Sequence, residues 1–180
     1  NDNSPAITSS ASFNSNENTS TVGSVVATDA DATSTVTYSI TGGADASKFS
    51  INATTGNFWF TNALGPDFET PLDTGTNNVY NFTVTASDGT NSTTQAVAVT
   101  VVNVNEAPVI TSSSTFSLAE NGTSVGTIVA TDVDAGTTLA YSITGADAAL
   151  FNINSTTGAI TFKSAPDHET PGSAASSNVY

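Results

Sequence analysis

Almost every side chain in this sequence that could do chemistry is a carboxylate. The 180 residues carry sixteen Asp and Glu against two cations, Lys48 and Lys163, with no Arg, no Cys and a single His, His168. All the acids except Asp45, Asp73 and Asp147 sit in short motifs. These are "NEN" (Asn16–Asn18) with a copy around Glu120, "DAD" (Asp29–Asp31) with "DVD" (Asp132–Asp134), and "PDFETP" (Pro66–Pro71) with "PDHETP" (Pro166–Pro171). "SDG" (Ser87–Gly89), "NVNEAP" (Asn103–Pro108) and "NDNSP" (Asn1–Pro5) complete the set. In D-x-D and D-x-E the alternation puts two carboxylates on one side of an extended segment, where they can grip one ion. Ca²⁺ suits such donors: it takes six to eight oxygens from carboxylates, amide carbonyls and backbone. No single loop here supplies that many, so several strand ends must converge. Converging them without a cation is costly, because each charge opposes its neighbour's ionisation.

The elements that must position these groups come in two copies. "ENTSTVGSVVATDAD" (Glu17–Asp31) matches "ENGTSVGTIVATDVD" (Glu120–Asp134) at an offset of 103; "YSITG" recurs at Tyr38–Gly42 and Tyr141–Gly145. "FSINATTG" (Phe49–Gly56) matches "FNINSTTG" (Phe151–Gly158), and "NVY" stands at Asn78–Tyr80 and Asn178–Tyr180. A period of about 103 residues is too long for a solenoid unit and fits a small β-sandwich. Apolar spacing is two: Val97, Val99 and Val101 alternate with Ala96, Ala98 and Thr100, and Phe82 and Val84 with Thr83 and Thr85. Such runs, bounded by Asp, Gly, Asn and Thr clusters, mark half-buried strands. In the first repeat the strands are expected near 5–10, 22–28, 35–41, 48–51, 57–61, 79–87 and 94–103.

The motif order resembles the calcium set of the cadherin repeat: an acidic residue on the first strand, D-x-D, D-x-E, A-x-D and an N-D-N-x-P linker. The flanking "VGxVxATDxD", "YSITG" and "TTGxIxF" patterns look most like the cadherin-like repeats of large bacterial surface adhesins. The resemblance runs the length of the chain. It implies an all-β fold of tandem, Ig-like Greek-key sandwiches of seven strands, residues 1–104 and 105–180, the second lacking its last two strands. Those strands would lie outside the sequence or be supplied by a neighbouring subunit.

The resemblance also implies the ligands. Glu17, Asp67, Glu69, Asn103, Asn105, Glu106, Asp132 and Asp134 would form a calcium site at the junction of the repeats. Asn1, Asp2, Asn3, Asp29, Asp31 and Asp88 would make half of an N-terminal site, and Glu120, Asp167 and Glu169 half of a C-terminal one. "NVNEAP" is a residue shorter before its proline than the family linker and places Asn105 and Glu106 where Asp and Asn are usual. Two ions or three at the junction therefore both stay open.

The expected function is a calcium-stiffened extracellular stalk or filament at a cell surface, partnered by adjacent repeats of the same parent chain. Two other readings are a polysaccharide-binding module using an outward Trp59, and a filament protomer assembling by strand exchange. Concentration-dependent oligomers would mark the latter. A net charge of −14 argues against nucleic acid and anionic membrane surfaces, and no apolar run is long enough to span a bilayer. No enzyme is expected, since nucleophile–His and metal–His constellations are missing and the carboxylate pairs lie at domain ends, where no cleft is implied. His168 reads as a loop residue.

Overall fold

Alternation of β-branched and aromatic residues with Thr, Ser and Asn produces strands, each burying one face. A computed structural model of the chain describes residues 3–31 and 35–180. It falls into two compact units, Asn1–Val104 and Asn105–Tyr180.

In the first unit the strands are β1 (Ala6–Ile7), β2 (Ser12–Asn16), β3 (Thr21–Ser24), β4 (Ala27–Thr28), β5 (Thr37–Gly42), β6 (Phe49–Ile51), β7 (Asn57–Phe60), β8 (Val79–Ser87) and β9 (Ser92–Val102). One sheet runs β2-β9-β8-β5 and another β3-β7-β6, with β1 paired to β4. β2 lies parallel to β9, and the other pairings are antiparallel. The two larger sheets meet through aromatic rings: Phe49 on β6 sits 4.4 Å from Phe82 on β8, and Phe58 on β7 packs edge-to-face on Phe82 at 5.4 Å. Tyr80, Val84, Val97, Val99 and Val101 close the core, each no more than 2% exposed. The period-two reading of β8 and β9 therefore describes which residues are buried.

One expected strand is shortened and another divides. The segment expected as one strand at 5–10 is the short β1, followed after a bend by β2, which the sequence reading missed because Ser12, Asn14, Ser15 and Asn16 dilute its apolar signal. The bend is needed because β1 pairs with β4 whereas β2 crosses to β9. The 22–28 run likewise breaks at Val25, whose amide bonds the carbonyl of Gly56 at 3.0 Å. Gly56 must be glycine: its φ is +70°, and a Cβ there would run into the Val25 carbonyl oxygen. Gly158 repeats this against Ile128 in the second unit.

The second unit contains β10 (Val109–Ile110), β11 (Ser124–Thr127), β12 (Ala130–Thr131), β13 (Phe151–Ile153) and β14 (Ala159–Phe162). β10 pairs with β12, and a sheet runs β11-β14-β13, reproducing β1/β4 and β3-β7-β6. Segments 113–119 and 139–144, the counterparts of β2 and β5, form no ladder among the described residues. In the first unit those strands lean on β9 and β8. Without such partners Phe116 is 39% exposed, and Ile160 is the one apolar residue of this unit that counts as buried. A 3₁₀ turn precedes each short strand after it, at Ala46–Lys48 and Ala148–Leu150.

Candidate metal centres

In the first unit Glu17, D-x-D and Asp88 sit where strands end, D-x-E lies in the long segment between β7 and β8, and backbone donors hold them there. Glu17 follows β2 directly and is 2% exposed. Its Oε2 accepts the Phe68 amide at 3.0 Å and its Oε1 the Val104 amide at 2.7 Å. One carboxylate thus ties the first-strand motif to both the D-x-E loop and the start of the linker. In that loop Asp67 Oδ1 accepts the amides of Glu69 and Thr70, each at 3.0 Å, and Asn103 Nδ2 donates to Glu69 Oε1 at 2.7 Å. Carboxylate oxygens of Glu17, Asp67 and Glu69 lie within 4.8 Å of one another. Four sequence-predicted residues of the first unit, Glu17, Asp67, Glu69 and Asn103, are therefore brought together.

The second unit gathers Glu120, Asp167 and Glu169 at the same spacing. Glu120 Oε2 accepts the His168 amide at 3.2 Å, and Asp167 Oδ1 the Glu169 amide at 2.9 Å. All three are exposed, unlike Glu17. The His168 side chain is 71% exposed, as a loop residue should be.

Each D-x-D is pinned in one way. Asp31 N donates to Asp29 Oδ1 at 2.8 Å, and Asp134 N to Asp132 Oδ1 at 2.9 Å. The preceding linker docks onto the second Asp: Asn3 N to Asp31 Oδ2 at 3.1 Å in the first unit, Glu106 N to Asp134 Oδ2 at 2.7 Å in the second. Asn105 Nδ2 bonds the Glu106 carbonyl at 2.8 Å. In the first unit Asn91 Nδ2 also donates to the Asn3 carbonyl at 3.3 Å, bringing the Asp88 turn alongside. Hydrogen bonds from the Asn91 and Thr90 amides hold the Asp88 carboxyl below the usual carboxylate range. Asn1 and Asp2, assigned to this same set, lie outside the described residues.

These residues fit a hard cation. Asp29 Oδ2 and Asp88 Oδ2 are both buried from solvent and accept no hydrogen bond among the described residues, which leaves each a lone pair that a cation could use. The donor set is carboxylate and amide oxygen with no thiol, which selects calcium-type ions over zinc or copper.

Sequence reasoning set aside residues that do structural work here. Asp45, 2% exposed, accepts Thr74 N and Thr74 Oγ1 at 2.7 Å and Asn81 N at 2.8 Å. Asp73, 3% exposed, accepts Gly75, Asn77 and Asn78 amides at 2.9–3.1 Å. Both fold the long segment that carries D-x-E. The recurrence of Asp45 at Asp147, in register with the other repeats, was the available signal; Asp147 Oδ1 accepts Ala174 N at 2.6 Å.

A cadherin domain model matches residues 9–105. The chain is 42% identical over 124 residues to mouse (Mus musculus) Cadherin EGF LAG seven-pass G-type receptor 1, covering 64% of this chain and 4% of the receptor. It is 35% identical over 179 residues to the human (Homo sapiens) receptor 2, covering 94% of this chain and 6% of that protein. It thus spans a small fraction of the curated relatives it matches. Among solved structures, human Protocadherin-24 EC1-2 superposes with a TM-score of 0.60 at 25% identity over 90% of this chain and 78% of that one. Mouse Cadherin-23 EC22-24 gives 0.52 at 26% identity, over 93% and 56%. Cadherin domains are extracellular, non-enzymatic adhesion modules that bind calcium, and a model match over more than half of the sequence makes this chain a member of the cadherin domain family.

Proposed function

We propose that the chain is a calcium-stiffened segment of an extracellular adhesive stalk, with Ca²⁺ held at the junction of its two repeats by Glu17, Asp67, Glu69, Asn103, Asn105, Glu106, Asp132 and Asp134. The observation that carries this is the Glu17, Asp67 and Glu69 carboxylates gathered within 4.8 Å in a chain with only two Lys and no Arg to neutralise them. Backbone amides orient the Glu17 and Asp67 carboxylates and the Asn103 side-chain amide orients that of Glu69, and the ion would supply the positive charge that lets them stay together. Asn3, Asp29, Asp31 and Asp88 would serve a preceding repeat, and Glu120, Asp167 and Glu169 a following one. Placement in a bacterial surface adhesin is part of the proposal, supported by the motif spacing and by a Cys-free, Lys-poor composition.

The test is thermal unfolding and small-angle scattering in calcium and in EDTA. For extracellular modules Kd is about 10⁻⁴–10⁻³ M. About 10 mM calcium would then stabilise by up to ~2.7 kcal/mol per site, raising Tm by roughly 10–20 °C. The particle should also become stiffer. Asp134→Ala should remove the stiffening and Asp88→Ala should spare it. Equal stiffening in both variants would overturn the ligand assignment, and no response in the parent chain would reduce the acidic motifs to turns.

One observation favours a second reading. Trp59 points away from the core between the buried Phe58 and Phe60, is 37% exposed, and stands opposite Ser50 and Thr21 in the sheet. An outward indole can stack on a sugar ring. Glycan-array binding lost in Trp59→Ala, with the calcium response intact, would establish polysaccharide recognition; an array with no hits would remove it.

A further inference from the structure

The tripeptide Asn-Val-Tyr occurs in both repeats, at Asn78–Tyr80 and Asn178–Tyr180, and carries no charge. In the first unit its two polar side chains reach back to the acidic hexapeptide Pro66–Pro71. Asn78 Nδ2 donates to the carbonyl of Phe68, the residue between Asp67 and Glu69, at 2.8 Å. Tyr80 OH accepts the amide of Leu72, the first residue past the hexapeptide, at 3.1 Å. The second unit repeats both bonds: Asn178 Nδ2 to His168 O at 3.1 Å, and Gly172 N to Tyr180 OH at 3.3 Å.

Both residues are anchored in the core. Asn78 is 8% exposed; its amide donates to Asp73 Oδ1 at 3.0 Å and its carbonyl accepts Val101 N of β9 at 2.8 Å. Tyr80, 2% exposed, packs its ring on Phe60 at 5.2 Å and Phe49 at 6.1 Å. The hexapeptide itself belongs to no strand. It is fenced by prolines, which donate no ladder bond, and its two carboxylates face Glu17. Such a segment keeps its shape only if other groups hold it. Asn18 N holds the Pro66 carbonyl at 2.8 Å, Glu17 takes the Phe68 amide, Asn78 takes the Phe68 carbonyl and Tyr80 takes the far end. With both sides of residue 68 fixed, the directions in which Asp67 and Glu69 project are fixed too.

We propose that Asn78 and Tyr80 are positioning residues for calcium: a neutral clamp that holds the D-x-E carboxylates in binding geometry before the ion arrives. This rests on the calcium reading above. The clamp explains why an uncharged motif recurs beside an acidic one: it grips the backbone of residue 68 alike where the side chain packs on the core, as Phe68 does, and where it is exposed, as at His168.

The experiment is a calcium titration of the parent chain, Asn78→Gly and Tyr80→Phe, followed by NMR at the backbone amides within residues 67–72 (Pro71 has none) and paired with melting in EDTA. Glycine suits position 78 because φ there is +62°, so the variant removes the amide without straining the backbone. Phenylalanine keeps the ring in the core and removes only the hydroxyl. Each variant should weaken calcium binding at these amides about fivefold, the worth of one net hydrogen bond, and the double variant further. Unchanged affinity with a lowered EDTA melting temperature would make the pair ordinary fold contacts and overturn the proposal while calcium binding stands. A parent chain whose 67–72 amides ignore calcium would instead overturn the calcium reading, and the clamp with it.

Discussion

Glu17→Gln should lower the melting temperature in EDTA by roughly 4–24 °C and shrink the further rise on adding calcium. Glu17 is 2% exposed and uses both oxygens as acceptors, one for the Phe68 amide and one for the Val104 amide. Glutamine has the same shape but offers one acceptor; its NH₂ must face one of those two donors. A buried donor left without an acceptor costs about 1–3 kcal/mol, and in a unit of this size each kcal/mol is worth about 4–8 °C. The loss of charge also removes a carboxylate from the cluster with Asp67 and Glu69. Glu120→Gln provides the internal control. Glu120 is exposed and, among the described residues, accepts the His168 amide alone, at 3.2 Å. Its loss should shift the EDTA melting temperature by no more than a few degrees. Equal apo effects of the two substitutions would show that Glu17 is not the buried tie between loop and linker.

That contrast follows from something the sequence could not display. Glu17 and Glu120 stand in matching motifs, and both were assigned as ligands from those motifs alone. Burial separates them, and burial depends on what covers each residue in three dimensions. The same division runs through the fold. β8 and β9 were legible because Phe82, Val84, Val97, Val99 and Val101 alternate strictly with small and polar residues. β2 was not, because its inward residues are Phe13 and Ser15, and a serine that counts as buried does not look like a core residue in a sequence. The D-x-D and D-x-E motifs stood out as candidate ion ligands because the chain is otherwise poor in charge. Asn78 was not, since a single amide that grips a backbone carbonyl leaves no compositional trace. Only its recurrence at Asn178 marked it.

Asp45 separates the carboxylates that hold loops from those proposed to hold ions, and its substitution should have the opposite calcium signature to that of Glu17. It is 2% exposed and accepts three hydrogen bonds, two from Thr74 and one from Asn81. Burial pushes its pKa up, but the Asn81 and Thr74 donors, helped by the Lys48 charge, outweigh that and hold it below the ordinary carboxylate value. A folded-state pKa below the unfolded one, about 3.9, means the group's contribution is complete above that pH and is lost as pH falls through the folded value. The parent chain in EDTA should therefore lose part of its stability below about pH 4. Asp45→Asn should be less stable at pH 7 by about 2–4 kcal/mol, because one amide oxygen cannot satisfy two backbone donors and a hydroxyl. It should also lose less stability on acidification than the parent. Its rise in melting temperature on adding calcium at pH 7 should persist, since Asp45 contributes no oxygen to the Glu17–Asp67–Glu69 cluster. If Asp45→Asn instead abolished the calcium response, the latch on Thr74 and the ion-binding loop would be one cooperative element, and the division of labour among these acids would have to be redrawn.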